Sequence, residues 1–471
     1  MALDFATIGS ALSESAVRNL KDRLAGELLQ PGDYDYDTTR QIWNGNVERY
    51  PGLIVRAADA IDVLRAVNFA REQGLAVAVR SGGHSIPGYS TLDGGMMIDL
   101  SAMKGIYMDP ERRVARVQPG VTWGEYAAQA QAHGMATSSG DMASVGVGGL
   151  ALGGGIGWMV RKYGLTIDHL LSVDVVTADG RLVTASETEN PELFWGLRGG
   201  GGNFGIATSF ELKLQPAGMI LGGAIFYSAD RTQDVLRAYA DYASQAPDEL
   251  TTIATVMPAP PLPFIPASLH GKAIVIIMLC YVGDLEEGQR VVEPLRQLET
   301  PIADIVGPMP YPTLFTFTAE GTQKGMLHAD RSTYLQEMNE EVLDTLAEFG
   351  QRMTSPASML QLRVLGGAMA RVPADATAFA HRDKQYMLTI INMWPREIDG
   401  EQHRAWTEQA WSKIQPHGEG VYVNFLENEG EARIREAYSP TTYDRLAALK
   451  REYDPTNFFR LNQNIRPAAR V

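Results

Sequence analysis

Residues Arg80 to Ser90 read RSGGHSIPGYS, and an apolar run, LAVAVR, leads into them. A core histidine does not need glycines on one side and a serine on the other. A metal site would need partners at ligand spacing. The glycines imply that backbone, not side chain, must come close to something here. Upstream lies PGLIVRAADAIDVLRAVNFAREQG, Pro51 to Gly74. LIVR suits a short strand. Asp59 suits the N-cap of a helix whose Val63, Val67 and Ala70 share one face, and Gly74 suits its end. With LAVAVR as the next strand, this is a βαβ unit that delivers the histidine loop beyond a strand's carboxyl end, where ligands tend to bind.

The chain has 471 residues, 45% apolar and 21% charged, enough for large cores and two domains. The net charge of −15 argues against nucleic acid, whose binders carry a basic footprint. AIVIIMLCYV (Ala273 to Val282) is too short to span a bilayer and reads as a buried strand, so no membrane is expected. The start, MALDFATIGSALSES, has no positive region ahead of an apolar one, so no secretory signal is expected. The single cysteine, Cys280, forbids a disulfide framework and points to the cytoplasm. Eight scattered histidines, none paired at ligand spacing, argue against a metal.

Glycine is unusual in number, 47 residues, and in placement, with clusters at Gly82-Gly83, Gly146 to Gly157 and Gly199 to Gly205. The stretch SVGVGGLALGGGIGW (Ser144 to Trp158) is too glycine-rich for a simple helix. Successive glycines let NH groups converge into nests that hold phosphate oxygens; the alternative is tight packing alone. A Rossmann dehydrogenase is disfavoured: GGGIG is not in a first βα turn and has no acidic ribose partner at the right spacing. LLSVDVVTADGRLVTAS (Leu170 to Ser186) reads as a hairpin around Asp179-Gly180. After about Pro216 glycine thins. Amphipathic helices such as RTQDVLRAYADYAS alternate with strands such as QYMLTIINMW, which predicts an antiparallel sheet backed by helices. MPAPPLPFIP is proline-rich and extended. The last helices suggest a return to the first domain.

Four motifs, RSGGHSIPGYS, SVGVGGLALGGGIGW, LFWGLRGGGGNFG and REYDPTNFFRLNQNI, occur in the order found in a known family. Together the chain resembles FAD-linked oxidases of the berberine-bridge-enzyme-like group, within the vanillyl-alcohol oxidase or PCMH-type superfamily. Its layout is similar to bacterial hydroxynicotine and oligosaccharide oxidases. The resemblance implies an α+β, two-domain PCMH-type fold. Its FAD-binding domain would be residues 1–216 with 427–471 returning to it, and its substrate domain residues 217–426.

The resemblance also implies a covalent bond from His84 to the flavin methyl group. Cofactor contacts carry over to Arg80, Ser81, Gly82, Gly83, Ser85 and Gly88 around it. They carry over likewise to Met142, Ser144, Val145, Gly148, Gly149, Gly153, Gly154 and Gly157, to Ile206, and to Asn462 and Asn464. Many members have a second tether, a cysteine shortly before VGVGG. Met142 stands there, so attachment through His84 alone is implied and a large oligosaccharide substrate is disfavoured. Val145 matches a position that gates dioxygen in plant-like members, or it simply fills a core gap.

For chemistry, the family's YxN segment matches VYVNF. Strand alternation would place Tyr422 and Asn424 on one face; Tyr422 is either a site residue or a core tyrosine whose hydroxyl has a partner. Thr389 falls where plant members carry a carboxylate or amide, and is a poor base. Met257, Phe264, Tyr311 and Phe315 are candidate apolar walls, or ordinary packing. The implied function is oxidation of a CH–OH or CH–NH group of a small apolar or aromatic molecule, with dioxygen reduced to hydrogen peroxide. A dehydrogenase with another acceptor and a non-catalytic flavin-binding protein remain alternatives. Oligomeric state is not legible.

Overall fold

The structure is a computed structural model that describes residues 12–469, without the side chains of residues 320–322. Most of the stretch read for a secretory signal, residues 1–11, lies outside the described residues.

Three sheets carry the site. The first contains β1 (Glu27–Leu29), β2 (Pro51–Arg56), β3 (Val77–Arg80) and β4 (Gly94–Asp99), in the order β1-β2-β4-β3. Strands β2 and β3 both run parallel to β4, so the βαβ crossover leaves a gap that β4 fills. Its helix, Ala60–Glu72, starts where the Asp59 carboxylate accepts from the Ile61 and Asp62 N–H groups. Val63, Val67 and Ala70 are fully buried on one face.

The second sheet orders β5 (Ile106–Asp109), β6 (Val114–Val117), β8 (Leu170–Val176), β9 (Leu182–Ser186) and β10 (Ile206–Lys213) as β5-β6-β10-β8-β9. The short strands β7 (Met135–Ala136) and β11 (Gln215–Pro216) pair with each other. β8 and β9 form the expected hairpin, and Gly180 takes the positive φ of 77° that its turn requires.

The third sheet has eight strands: β12 (Met219–Ser228), β13 (Leu250–Pro258), β14 (Ala273–Tyr281), β15 (Ala303–Asp304), β16 (Gly307–Pro310), β17 (Leu327–Leu335), β18 (Ala357–Val364) and β19 (Tyr386–Trp394). It is antiparallel, ordered β15-β12-β14-β13-β18-β19-β17, with β16 also on β12. Alternation gives it two unlike faces. Leu335, Leu360, Leu362, Leu388 and Ile390 pack into one cluster with Leu236, Leu346 and Trp406 from helices Thr232–Gln245, Glu340–Gly350 and Glu401–Ile414. The other face turns toward the first two sheets.

The chain does return at its end. Helix Pro440–Tyr453 buries Tyr443 and Leu446 in one cluster with Phe194 and Leu197. Its Lys450 ammonium, fully buried, donates to Asp454 at 2.6 Å, to the Asn203 carbonyl at 2.7 Å and to the Phe459 carbonyl at 2.8 Å. Asp454 in turn accepts from the Phe458 and Phe459 N–H groups. A buried ammonium with three acceptors pins the C-terminal motif onto the glycine cluster around Asn203. Among the described residues, no helix is long and apolar enough to cross a membrane.

Candidate active site

A cavity of about 360 Å³ lies between the glycine loops and the inner face of the third sheet. On the first side, Ser81, Gly82, Gly83, His84 and Ser85 line it, with Met142, Val145, Gly148, Gly149, Ile206 and Asn462. Glycine is needed at Gly82 because the two loops touch through their backbones: a Cβ there would sit 2.3 Å from the Gly146 nitrogen. Gly83 adopts φ 75°, a left-handed conformation that favours glycine. Gly149, Gly201 and Gly202 differ, since a Cβ on them meets nothing within 4 Å. They leave bare backbone along the cavity wall.

His84 is partly buried. Its Nε2 lies 2.9 Å from the Ser144 hydroxyl, and its ring stacks on Trp43 with centroids 5.2 Å apart. Burial, aided by Lys324 and His328, pushes the imidazole down to about 4, so it is neutral at physiological pH.

Other residues expected at the cofactor sit elsewhere. The Arg80 guanidinium points away from the cavity and pairs with the buried Asp99 at 2.8 and 3.0 Å. A Gly88 Cβ would strike Val47. Ser144 reaches the cavity only through His84. Gly153, Gly154 and Gly157 do not line the cavity. Added Cβ atoms would strike the Asn424 amide, the Phe379 and Tyr422 rings, and the Ser139 carbonyl. That half of SVGVGGLALGGGIGW serves close packing, while Gly146, Gly148 and Gly149 face the cavity. Asn464 does not line it, although its Oδ1, like that of Asn462, is buried without a partner among the described residues.

The facing wall comes from three adjacent strands: Asp330 on β17, Met359 and Arg363 on β18, and Thr389, Ile391 and Met393 on β19. The Thr389 hydroxyl is buried with no partner among the described residues. Arg363, almost fully buried, meets Asp141 from the glycine side at 2.5 Å and Gln361 at 3.0 Å. Asp141, Asp330, Arg363 and Trp43 went unseen in the sequence. The alternating polar residues of LHADRSTYL were the one available signal for Asp330.

Tyr422 and Asn424 both line the cavity, but not as strand neighbours. Val423–Phe425 is a 3₁₀ turn, which folds Asn424 back so that its amide donates to the Tyr422 oxygen at 2.8 Å. The Gly155 N–H donates to the same oxygen at 2.7 Å. With two bonds accepted, the phenol has its own proton left to give. Burial pushes its pKa up to about 12, against the lowering effect of those bonds. The candidate walls Met257, Phe264, Tyr311 and Phe315 do not line this cavity. Tyr311 and Phe315 lie in a separate apolar cluster with Ile274 and Ile276, and Phe264 packs on Phe226.

A cleft with bare glycine backbone, the unpartnered Asn462 amide oxygen and a neutral histidine suits a flavin dinucleotide. The fold and site define an FAD-linked oxidoreductase. Two family models match: an FAD binding domain over residues 51–186, and the berberine and berberine-like model over residues 421–466. The chain is 32% identical to (R)-6-hydroxynicotine oxidase of Paenarthrobacter nicotinovorans, covering 94% of this chain and 97% of that one. The crystal structure of 6-hydroxy-D-nicotine oxidase from Arthrobacter nicotinovorans matches with a TM-score of 0.85 at 30% identity, over 94% and 98% of the two chains. Xylooligosaccharide oxidase from Myceliophthora thermophila, in complex with xylobiose, matches with a TM-score of 0.83 at 25% identity, over 97% and 99%. The chain belongs to the berberine-bridge-enzyme-like family of FAD-linked oxidoreductases, with the PCMH-type FAD-binding fold.

Proposed function

We propose that this protein is an oxidase that holds FAD covalently through His84 alone and oxidises a CH–OH or CH–NH group of a small molecule, dioxygen being reduced to hydrogen peroxide. The observation that carries it is His84 itself: a neutral ring on the cavity wall, framed by the Ser81–Gly83 backbone and held by Ser144. A neutral imidazole has the lone pair that bond formation at the flavin methyl group needs. Bound there, FAD would supply the two-electron acceptor that takes a hydride and passes the electrons on. Residues 1–216 with 427–471 would hold it, and residues 217–426 would present the substrate.

The protein's own part is positioning. Ser81, Gly82, Gly149, Gly201 and Gly202 offer backbone for the phosphates, and Asn462 offers an unpartnered amide oxygen. Tyr422 keeps its proton and donates a hydrogen bond to an uncharged polar atom of the substrate, which fixes the carbon that loses hydride. The proton of the oxidised CH–OH or CH–NH group would pass to the Asp330 carboxylate on the facing wall. Thr389 offers a second polar contact. Met359, Ile391 and Met393 keep water out. Met142 cannot form the thioether that a cysteine would. Val145, small and on the cavity wall, leaves room for dioxygen. A cytoplasmic setting rests on the lone cysteine.

The test is anaerobic mixing with a panel of alcohols and amines. An oxidase bleaches with its substrate and regains colour in air, with peroxide formed. Bleaching without recovery in air would favour a dehydrogenase, and no bleaching by any compound would favour a non-catalytic flavoprotein.

A further inference from the structure

Asp330 is 5% exposed and lines the cavity, yet its Oδ1 has no hydrogen-bond partner among the described residues. Its Oδ2 has one neighbour of basic type, His328 Nδ1 at 3.4 Å. His328 lies behind it on the same strand face, packed on Trp43 with ring centroids 4.1 Å apart. Of the nearby cations, Lys324 is exposed to solvent, and Arg331 and Arg363 are engaged with other carboxylates. Arg331 is the next residue on β17, so it points to the opposite face, and it pairs with Glu427 at 2.6 Å and Glu408 at 2.5 Å. Arg363 pairs with Asp141. It stands two strands over and four residues along from the Asp330 row, roughly 16 Å away by strand geometry. Glu427 accepts the Asp330 backbone N–H, and its own carboxyl is pushed up by burial and then by Asp330. The Arg331 guanidinium also donates to the Asp330 carbonyl at 2.8 Å, so its charge is shared with Glu427 and does not reach the Asp330 carboxylate on the opposite face.

A buried carboxylate without a cation is costly, and a ligand that brings one removes the cost. A hydroxyl would satisfy the hydrogen bond but leave the charge. An ammonium supplies both, in a bond of the stronger, charge-assisted kind. We infer that Asp330 is the specificity-determining residue of this cavity, and that it selects a substrate that arrives as a protonated amine. One ammonium proton passes to the carboxylate before the neighbouring carbon gives up hydride to the flavin and leaves an iminium product. The apolar remainder, Met359, Ile391 and Met393, suits the substrate's carbon skeleton. The inference rests on reading the cavity as the substrate site, and it narrows the CH–OH or CH–NH choice.

The experiment uses the holoenzyme at pH 7.5 and aryl-alkyl amines, each matched by the alcohol of the same skeleton. Anaerobic titration of the flavin spectrum gives a Kd, and bleaching gives a rate. The wild type should bind amines at least tenfold more tightly than their alcohols. Asp330→Asn should bring that ratio close to one, and Asp330→Glu should keep it. Covalent flavin content and Tm check that each variant is folded. Equal affinity for amine and alcohol in the wild type overturns the inference without any variant. So does a ratio unchanged in Asp330→Asn, or no spectral response to any amine. Spectral binding of amines that depends on Asp330 but never bleaches the flavin would support the recognition and sink the oxidase reading. Bleaching that favours neither amine nor alcohol would do the reverse.

Discussion

The two walls of the cavity are built on opposite plans. The loop wall is mostly backbone: Gly82 and Gly146 touch through their main chains, Gly149, Gly201 and Gly202 leave bare peptide, and His84 is the one imidazole among them. The sheet wall is all side chains, Asp330, Arg363, Thr389, Met359, Ile391 and Met393, projecting from three strands. Bare backbone can hold a cofactor that never changes, because NH groups do not depend on residue type. Side chains on a rigid sheet can be exchanged without disturbing the strands that carry them. On the proposed reading, cofactor and substrate would be held by parts of the molecule that tolerate mutation differently.

The largest expected contrast comes from changing one side-chain heavy atom on each wall. Gly82→Ala puts a Cβ 2.3 Å from the Gly146 nitrogen, where backbone must shift. Its flavin-to-protein absorbance ratio should fall below a tenth of wild type. Thr389→Val, nearly isosteric, should purify with full flavin. Full flavin in Gly82→Ala would erase the distinction.

The next test falls on the bridge between the walls, Tyr422. Tyr422→Phe removes a donor while keeping the ring, and should leave covalent flavin intact. Anaerobic reduction by the true substrate should slow by about tenfold or more, or ~1.4 kcal/mol of barrier. If Tm falls instead and reduction is normal, the phenol belongs to the core.

A smaller effect sits on the loop wall. Val145→Leu adds a methylene beside the cavity and should slow reoxidation in air several-fold, leaving anaerobic reduction nearly unchanged. Equal reoxidation rates would show that Val145 only fills space.

The loop wall was legible because its signals are local. Asp59, the strand to Arg80 and the SGGH frame lie within about thirty residues, and each has a conformational reason to be what it is. The hairpin around Asp179-Gly180 was readable for the same reason. The sheet wall was not. Asp330, Arg363 and Thr389 lie on separate strands, brought together by registers such as Ser332 opposite Thr389 and Thr389 opposite Gln361. Alternation shows that a strand has two faces, not which one meets the cavity. Thr389 was found by resemblance alone. In VYVNF the sequence favoured a strand, but a 3₁₀ turn formed instead and joined Tyr422 to Asn424 directly. The later glycines of GGGIG do not line the cavity, and glycine for packing and glycine for binding look alike in sequence.

The smallest effect tests His84 as a titrating group in flavin-free protein. An unfolded histidine takes up a proton near pH 6.5, whereas folded His84 refuses it until about pH 4. Between those values the unfolded state binds more protons, so stability falls as the pH falls. His84→Gln should lose less Tm than wild type over that window, by on the order of a few degrees. Parallel Tm curves would mean that His84 is not held neutral by burial.

The central claim is the single histidine tether, and mass analysis reads it directly. Wild-type protein is denatured in acid, washed free of loose flavin and digested with trypsin, which releases residues Ser81–Lys104 as one peptide. The expected result is that this peptide carries the mass of FAD at His84, that the peptide with Met142 carries none, and that His84→Ala releases all its flavin. An unmodified Ser81–Lys104 peptide, with the flavin free in the acid supernatant of the wild type, would contradict it.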